Sequence, residues 1–341
     1  MSPEAFYTLP SHFDCVIDVR SPAEWAADHL PDAINLPVLN DSERAQVGTL
    51  YAQSPFEAKK LGAALVARNI ARHLETTLND KPRHWRPLIY CWRGGNRSNS
   101  MAIVLQKIGW RAEVLEGGYA AFRRFVIQDL ARLVHGLHYQ VICGVTGSGK
   151  SLYLRKLALQ GDQVLDLEAL AHHRGSLLGS EPEGEQPSQK AFETRIWHAL
   201  RAMSPQRPVF LESESRKIGS VQVPQALMDR MRASPCIEIS PSIEQRVDFL
   251  CREYAHFFSQ TDLLKEKLEK LVPLVGHERL ARWNALIDQH AWPELVRLLL
   301  VEHYDPTYTR SMKKNYALYA QARVLAEHPA FSATTELSAL A

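Results

Sequence analysis

Residues 139–160 read YQVICGVTGSGKSLYLRKLALQ. An apolar run passes at once into a turn with glycine at 144, 147 and 149, and the turn opens into a helical pattern. A strand that feeds a helix in this way can regain the sheet only by a crossover. The local architecture is therefore α/β, with parallel strands and helices on their faces. Gly144–Ser151 satisfies G-x-x-x-x-G-K-S with the strand before it and the helix after it that the motif requires. The glycines permit a tight wrap, the loop N–H groups point at phosphate oxygens, Lys150 reaches the terminal phosphates and Ser151 can ligate Mg2+. Gly144, Gly147, Ser148, Gly149, Lys150 and Ser151 are thus the expected diphosphate contacts.

A metal at such a loop calls for a second acid at a strand end. Asp166 ends QVLD and Glu212 ends PVFLE. Glu212 is favoured, because the acid follows three apolar residues; the alternative for each is a helix cap or a surface carboxylate. The motif specifies a diphosphate or triphosphate head. It does not by itself separate hydrolase, kinase or another chemistry.

The first 130 residues repeat the alternation. CVIDV (15–19) reads as a buried strand. Ser21, Pro22 and Glu24 then mark a helix start. PDAINLP follows as a turn and a short extended piece, and residues 55–79 carry helical apolar spacing. RPLIYC (86–91) reads as a strand, 98–108 as a helix, AEVLEGG (112–118) as a strand with a glycine turn, and 120–137 as a helix. Later strands are expected within QVLDLEAL (163–170), PVFLES (208–213) and CIEIS (236–240). Residues 171–190, rich in Gly, Ser, Pro and Glu, read as an exposed loop. The chain after 241 reads as mostly helical to about 300, and the final FSATTELSALA as peripheral. The expected division is a first domain over 1–134, a P-loop domain over 135–300 and a C-terminal helical extension over 301–341.

The second strand delivers Cys91 into CWRGGNRSNS. Turn N–H groups and the N-terminus of the next helix converge there with partial positive charge, and Arg93 and Arg97 add full charge. Such a field lowers a thiol pKa and makes Cys91 a candidate nucleophile or oxyanion cradle. Gly94 and Gly95 let the backbone turn inward, and Ser98 can donate to the sulfur. Five residues separate Cys91 from Arg97, a spacing that also suits a cysteine-dependent phosphatase. That chemistry needs an acid for the leaving group, with Asp18 or Glu24 on offer.

Composition closes off other classes. The chain has 341 residues, 45% hydrophobic and 23% charged, with a formal charge of +2. This is the profile of a globular protein whose anion-binding patches are local. Cys15, Cys91, Cys143, Cys236 and Cys251 are odd in number and form no CxxC pair, so neither a disulfide scaffold nor a cysteine-rich zinc site is expected. The other four cysteines read as small core residues. No apolar run reaches eighteen residues, and MSPEAFYTLPSHFDCVIDVR has no basic leader before an apolar core. A cytoplasmic location without a membrane span is the expectation.

Three basic regions remain. His172, His173 and Arg174 precede Gly175 in what resembles an anion-contacting loop. Arg216 and Lys217 follow the acidic strand end. YDPTYTRSMKKNYALY (304–319) interleaves basic and aromatic residues in a pattern that can grip a nucleic-acid backbone and stack a base. Each alone reads as a solvated face.

DVRSPAEWAADHLPDAINLP (18–37) resembles the opening of a rhodanese domain, with Asp18, Arg20, Glu24, His29, Ala33, Asn35 and Pro37 at the familiar spacings. EVLEGGYAAFRR (113–124) resembles the close of that domain. The cysteine loop is one residue longer than the usual rhodanese loop, which suits a larger chalcogen or a tetrahedral anion. Taken with ERAQVGTLYAQSPFEAKKLGAALV (43–66), GVTGSGKS, DLEALAHHRGSLLG and FLESESRKIG, the chain resembles tRNA 2-selenouridine synthases over residues 1–320. These fuse a rhodanese-like parallel-sheet domain to a P-loop NTPase-like α/β domain with a helical C-terminal region.

The resemblance implies a transferase acting on tRNA for Lys, Glu and Gln. Geranyl diphosphate would alkylate the wobble 2-thiouridine, and selenium from selenophosphate would then displace the S-geranyl group. It implies Cys91, Arg93, Arg97 and Lys150 as catalytic residues. Ser98, His173, Arg174, Glu212, Arg216 and Lys217 become candidate substrate or anion contacts, and Ser151, Asp166 or Glu212 candidate Mg2+ ligands. Transient contact with the enzyme that makes selenophosphate is a further expectation. The competing readings are a phosphatase or sulfurtransferase coupled to a nucleotide-binding domain, and a non-enzymatic RNA-binding nucleotide switch.

Overall fold

Cys15–Asp18 (β1) is flanked by Ala33–Asn35 (β2) and Pro87–Tyr90 (β3), and Glu113–Val114 (β4) lies beyond β3. All three pairings are parallel, with Ile17 opposite Ile34 on one side and Ile89 on the other. Every residue of β3 is buried, as a strand covered on both faces must be. The computed structural model describes residues 1–8, 12–175 and 184–325. It divides into two compact units, the first made of residues 1–130 and 187–198, the second of 131–186 and 199–341. The final FSATTELSALA and residues 176–183 of the expected exposed loop lie outside the described residues.

In the first unit, helices Pro55–Glu75 and Asn96–Ile108 bury Leu65, Val66, Ile70, Met101 and Leu105 against the sheet residues Ile17 and Ile89. A helix at Asp41–Gln53 precedes them, a segment given no element in the sequence reading. It is closed by a reciprocal cap in which Asn40 Oδ1 accepts from the Glu43 N–H at 2.8 Å and the Glu43 carboxylate accepts from the Asn40 N–H at 2.9 Å. Residues 187–198 complete this unit from far along the chain. Trp197 is fully buried, edge-on to Tyr7, Phe122 and Phe125, and its Nε1 donates to Asp129 at 2.9 Å. Thr194 and Tyr119 both donate to the buried Asp28 carboxylate, at 3.0 and 2.8 Å.

The second unit holds Tyr139–Cys143 (β5), Gln163–Val164 (β6), Val209–Glu212 (β7), the hairpin strands Lys217–Ile218 (β8) and Val221–Gln222 (β9), Cys236–Ile239 (β10) and Arg323–Leu325 (β11). The main sheet runs β11-β10-β5-β7-β6 and is parallel throughout. Central β5 carries the phosphate-loop motif at its carboxyl end, where ligands collect on open α/β sheets. The sequence reading anticipated neither the small hairpin nor edge strand β11. Between Ile243 and Asn315 the chain is mostly helical, with its own core around Leu264, Leu268, Trp283, Ile287 and Leu295. Among the described residues, no helix is long and apolar enough to cross a membrane.

Candidate functional site

Two sites stand at strand ends, one in each unit. In the first, β3 runs out into Cys91, which is 4% exposed. Helix Asn96–Ile108 begins just beyond it, with Gly95 as its N-cap. The Gly95 N–H donates to Cys91 Sγ at 3.3 Å, and Ser98 Oγ lies 3.2 Å from the sulfur. Burial pushes the thiol up. Hydrogen bonds from the Ser98 hydroxyl and from the Ser98, Arg93 and Gly95 backbone outweigh it and leave Cys91 below the ordinary thiol value.

A second glycine turn supports the loop from behind. Gly118 has φ +55°, and a Cβ there would lie 2.3 Å from the Cys91 carbonyl oxygen and 2.6 Å from the Gly94 nitrogen. The Tyr119 and Ala120 N–H groups donate to the Cys91 and Trp92 carbonyls, both at 2.9 Å. Two turns distant in sequence are thus fitted backbone to backbone, which only glycine allows.

The charged residues divide. Arg93 is exposed. Arg97 grips both oxygens of Glu24, at 2.6 and 3.2 Å. Asp18 is fully buried and held by Arg20, whose Nε and Nη2 donate to its carboxylate at 3.0 and 2.6 Å. The Arg20 guanidinium lies 4.0 Å from the Tyr119 ring centre. Burial raises the Glu24 pKa, but the hydrogen bond and charge of Arg97 more than offset it, so Glu24 stays ionised. Neither acid considered for a phosphatase is therefore placed to donate a proton: one is locked in a structural ion pair, the other kept charged. Of the other cysteines, Cys143 and Cys236 are buried, Cys15 and Cys251 half-buried, and all are free thiols.

In the second unit Gly147 and Gly149 both adopt φ +77°, and helix Lys150–Leu159 starts at once. Lys150 Nζ donates to the Gly144 carbonyl at 2.9 Å and lies 5.5 Å from the Tyr308 ring centre. The Gly144 N–H donates to the Tyr308 hydroxyl at 2.8 Å, which also meets Ser213 Oγ at 2.7 Å. Arg246 donates to the Thr146 carbonyl at 2.9 Å and forks onto Asp305, tying the loop to helix Asp305–Asn315. Ser148 Oγ is buried and has no hydrogen-bond partner among the described residues.

The loop opens on a cavity of about 410 Å3 whose walls include Lys150, Ser151, Arg155, Glu168 and Glu214. Ser151 Oγ donates to Glu168 at 2.9 Å and to Glu212 at 3.3 Å. Carboxylate oxygens of Glu168, Glu212 and Glu214 all lie within 4.8 Å of one another. Burial raises the pKa of each, and carboxylate neighbours add to it: Glu212 rises well above the usual range and Glu214 to about 8. Three acids crowded beside a P-loop serine form a donor set of hard oxygens that fits a divalent cation.

Of the expected acids, Glu212 belongs to this trio. Asp166 lines the cavity but caps helix Leu167–Ala171, accepting the Ala169 N–H at 2.8 Å. Glu168 and Glu214 were not singled out from sequence. Arg174 lines the cavity, paired to Glu253 at 2.9 Å, and beside it stands His172 rather than His173. His173 Nδ1 accepts the Gly175 N–H at 3.0 Å. Arg216 and Lys217 are exposed at the hairpin and are not among the described residues that line the cavity. Tyr304, Tyr308 and Tyr316 line the cavity, and the Tyr316 hydroxyl donates to the Glu214 carbonyl at 3.1 Å. Arg310, Lys313 and Lys314 stay exposed.

Known proteins match in the same order. A family model described as the tRNA 2-selenouridine synthase AAA domain matches residues 137–326, and a rhodanese-like domain model matches residues 2–125. A tRNA 2-selenouridine synthase of Alcanivorax borkumensis is 34% identical over 326 residues, covering 86% of this chain and 88% of that protein. One from Nitrosomonas europaea is 36% identical over 285 residues, covering 81% and 74%. One from Marinobacter nauticus is 31% identical over 326 residues, covering 86% and 87%. With a poised thiol and a phosphate loop in place, and relatives alike along most of both chains, the chain belongs to the tRNA 2-selenouridine synthase family.

Proposed function

We propose that this chain alkylates the wobble 2-thiouridine of tRNA with geranyl diphosphate and then exchanges the S-geranyl group for selenium from selenophosphate. The observation that carries this reading is the phosphate loop beside its carboxylates: Lys150, Ser151 and the Ser148 hydroxyl, which has no hydrogen-bond partner among the described residues, line one cavity with Glu168 and Glu214. A diphosphate head meets cationic and hydroxyl donors there. Ser151, Glu168, Glu212 and Glu214 are the residues that would hold Mg2+, which supplies charge neutralisation for the phosphates.

The first step forms a bond from the thiocarbonyl sulfur to the allylic carbon of the donor. The allylic C–O bond breaks and its electron pair leaves with diphosphate. Lys150 swings from the Gly144 carbonyl to the phosphate oxygens and stabilises that developing charge. Alkylation turns a poor leaving group into a thiol and makes C2 more electrophilic. In the second step water cleaves the P–Se bond of selenophosphate, the phosphoryl group leaves as phosphate, and the selenide so freed adds at C2; the C2–S bond then breaks and the sulfur takes a proton to leave as geranylthiol. Cys91 steadies the selenide beside the base, with the Ser98 and Gly95 donors at the head of the loop supporting the thiolate. Arg93 and Arg97 supply positive charge for selenophosphate, Arg97 from within its Glu24 pair.

Mass analysis of tRNA nucleosides, with geranyl diphosphate and selenophosphate added separately and then together, tests the scheme. The S-geranyl nucleoside should form with the first donor alone, and 2-selenouridine only with both. Lys150→Ala should lose geranylation. Cys91→Ser should keep geranylation and lose selenation. Normal alkylation by Lys150→Ala would refute the phosphate-loop assignment, and selenouridine from Cys91→Ser would remove the cysteine's role. Nucleotide consumption without tRNA, and no alkylation, would favour a nucleotide switch.

A further inference from the structure

A second, narrower cavity of about 60 Å3 adjoins the phosphate-loop cavity. The two share Thr146, Leu250, Tyr254 and Tyr304 as a common wall. Thr146 belongs to the phosphate loop itself. Leu250 presses on the loop from the other side, since a Cβ on Gly147 would lie 2.7 Å from Leu250 Cδ1. Beyond that wall the slot is closed by Phe258, Leu264, Val296 and Leu299, with no charged side chain among the described residues that line it.

A chain leaving the phosphate cradle past Thr146 thus passes from a lining of donors and charges into an apolar one. The geometry points to this slot as the seat of the far end of the donor's prenyl chain, with the rest of the chain in the adjoining cavity, and to Leu264 and Val296 as residues that set the chain length accepted. The inference rests on the allylic diphosphate reading given above. Size supports a length gate. An apolar cavity of about 150 Å3 takes a benzene ring, so a slot of about 60 Å3 admits only the last few carbons of the chain, and its end wall decides how far they enter. One methylene gained or lost in such a pocket changes discrimination by about tenfold or more. The Tyr304 hydroxyl, buried and without a hydrogen-bond partner among the described residues, is a polar group at the junction between the two cavities.

The test offers dimethylallyl, geranyl and farnesyl diphosphates in competition to the full-length protein with thiouridine tRNA and reads the S-alkyl nucleosides by mass. Leu264→Ala, which deepens the slot, should raise the farnesyl-to-geranyl ratio about tenfold. Val296→Phe, which fills it, should raise the dimethylallyl-to-geranyl ratio by a similar factor. Affinity for inorganic pyrophosphate should hold within about twofold in both, which confirms that the phosphate loop is intact. Geranylation by the parent with unchanged chain-length ratios in variants that still bind pyrophosphate would overturn this inference and leave the proposed function standing. A parent that binds pyrophosphate but uses none of the three donors would overturn both. Val296 is only partly buried, so Val296→Phe alone decides the matter if Leu264→Ala does not fold.

Discussion

Ser98 Oγ lies 3.2 Å from Cys91 Sγ, and both side chains are buried. The hydroxyl heads the hydrogen bonds that offset burial and hold the thiol below its ordinary value. Losing one hydrogen bond to a charged acceptor costs roughly 1.5 kcal/mol, or about one pKa unit. Ser98→Ala should therefore move the midpoint of Cys91 alkylation by iodoacetamide upward by about one pH unit. An unmoved midpoint would leave the backbone N–H groups as the main support of the thiolate.

Gly118→Ala should damage the first unit and spare the second. The new methyl group meets the Cys91 carbonyl and the Gly94 nitrogen, both backbone atoms, at a φ that disfavours alanine. A loss of at least about 2 kcal/mol follows, seen as a lower melting temperature of that unit and altered Cys91 alkylation. Pyrophosphate binding at the phosphate loop should be retained. Wild-type melting and alkylation would show that the two glycine turns are not closely fitted.

Tyr308→Phe removes the acceptor of the Gly144 N–H. Leaving a buried backbone donor unpaired costs about 1–3 kcal/mol. Pyrophosphate titration should show weaker binding, because Gly144 opens the loop that cradles the anion. Unaltered affinity and melting would mean that the aromatic ring alone supports the loop.

Glu168, Glu212 and Glu214 predict a pH dependence with a definite sign. All three pKa values are raised, with Glu214 reaching about 8. Such acids are protonated in the fold while already ionised in the unfolded chain. Their effect is absent below the ordinary value of 4.5 and erodes stability as pH climbs above it, with the Glu214 contribution levelling off above about 8. Mg2+ should therefore raise the melting temperature more at about pH 8 than at about pH 5. Equal shifts at both would argue against the carboxylates as the cation site.

Features written in adjacent residues were legible before folding. The wholly apolar β3 running into Cys91, and β5 running into Gly144, each announce a strand end with chemistry attached. What was not legible depends on long-range approach. Glu168 sits on a five-residue helix and Glu214 just past a strand, and Glu168 meets Ser151, and Glu214 the other two acids, only when β5, β6 and β7 align. Residues 41–53 bury no side chain, so no apolar stripe marked that helix, though Asn40 and Glu43 spell its cap. β11 is mostly exposed and lacks the alternation that betrays a strand. Aromatic and basic residues alternate over 304–319; that Tyr304, Tyr308 and Tyr316 line the phosphate-loop cavity while Arg310, Lys313 and Lys314 stay exposed is a tertiary choice that periodicity does not encode.

The return of residues 187–198 to the first unit bears on how this gene can be cut. A fragment that stops after the helix Gly118–Gly136 would carry Cys91 but forfeit Trp197, baring Tyr7, Phe122 and Phe125 to water and stripping Asp28 of its threonine donor. No single scission yields two finished halves, so evolution and the bench alike must inherit this pair of modules as one indivisible reading frame.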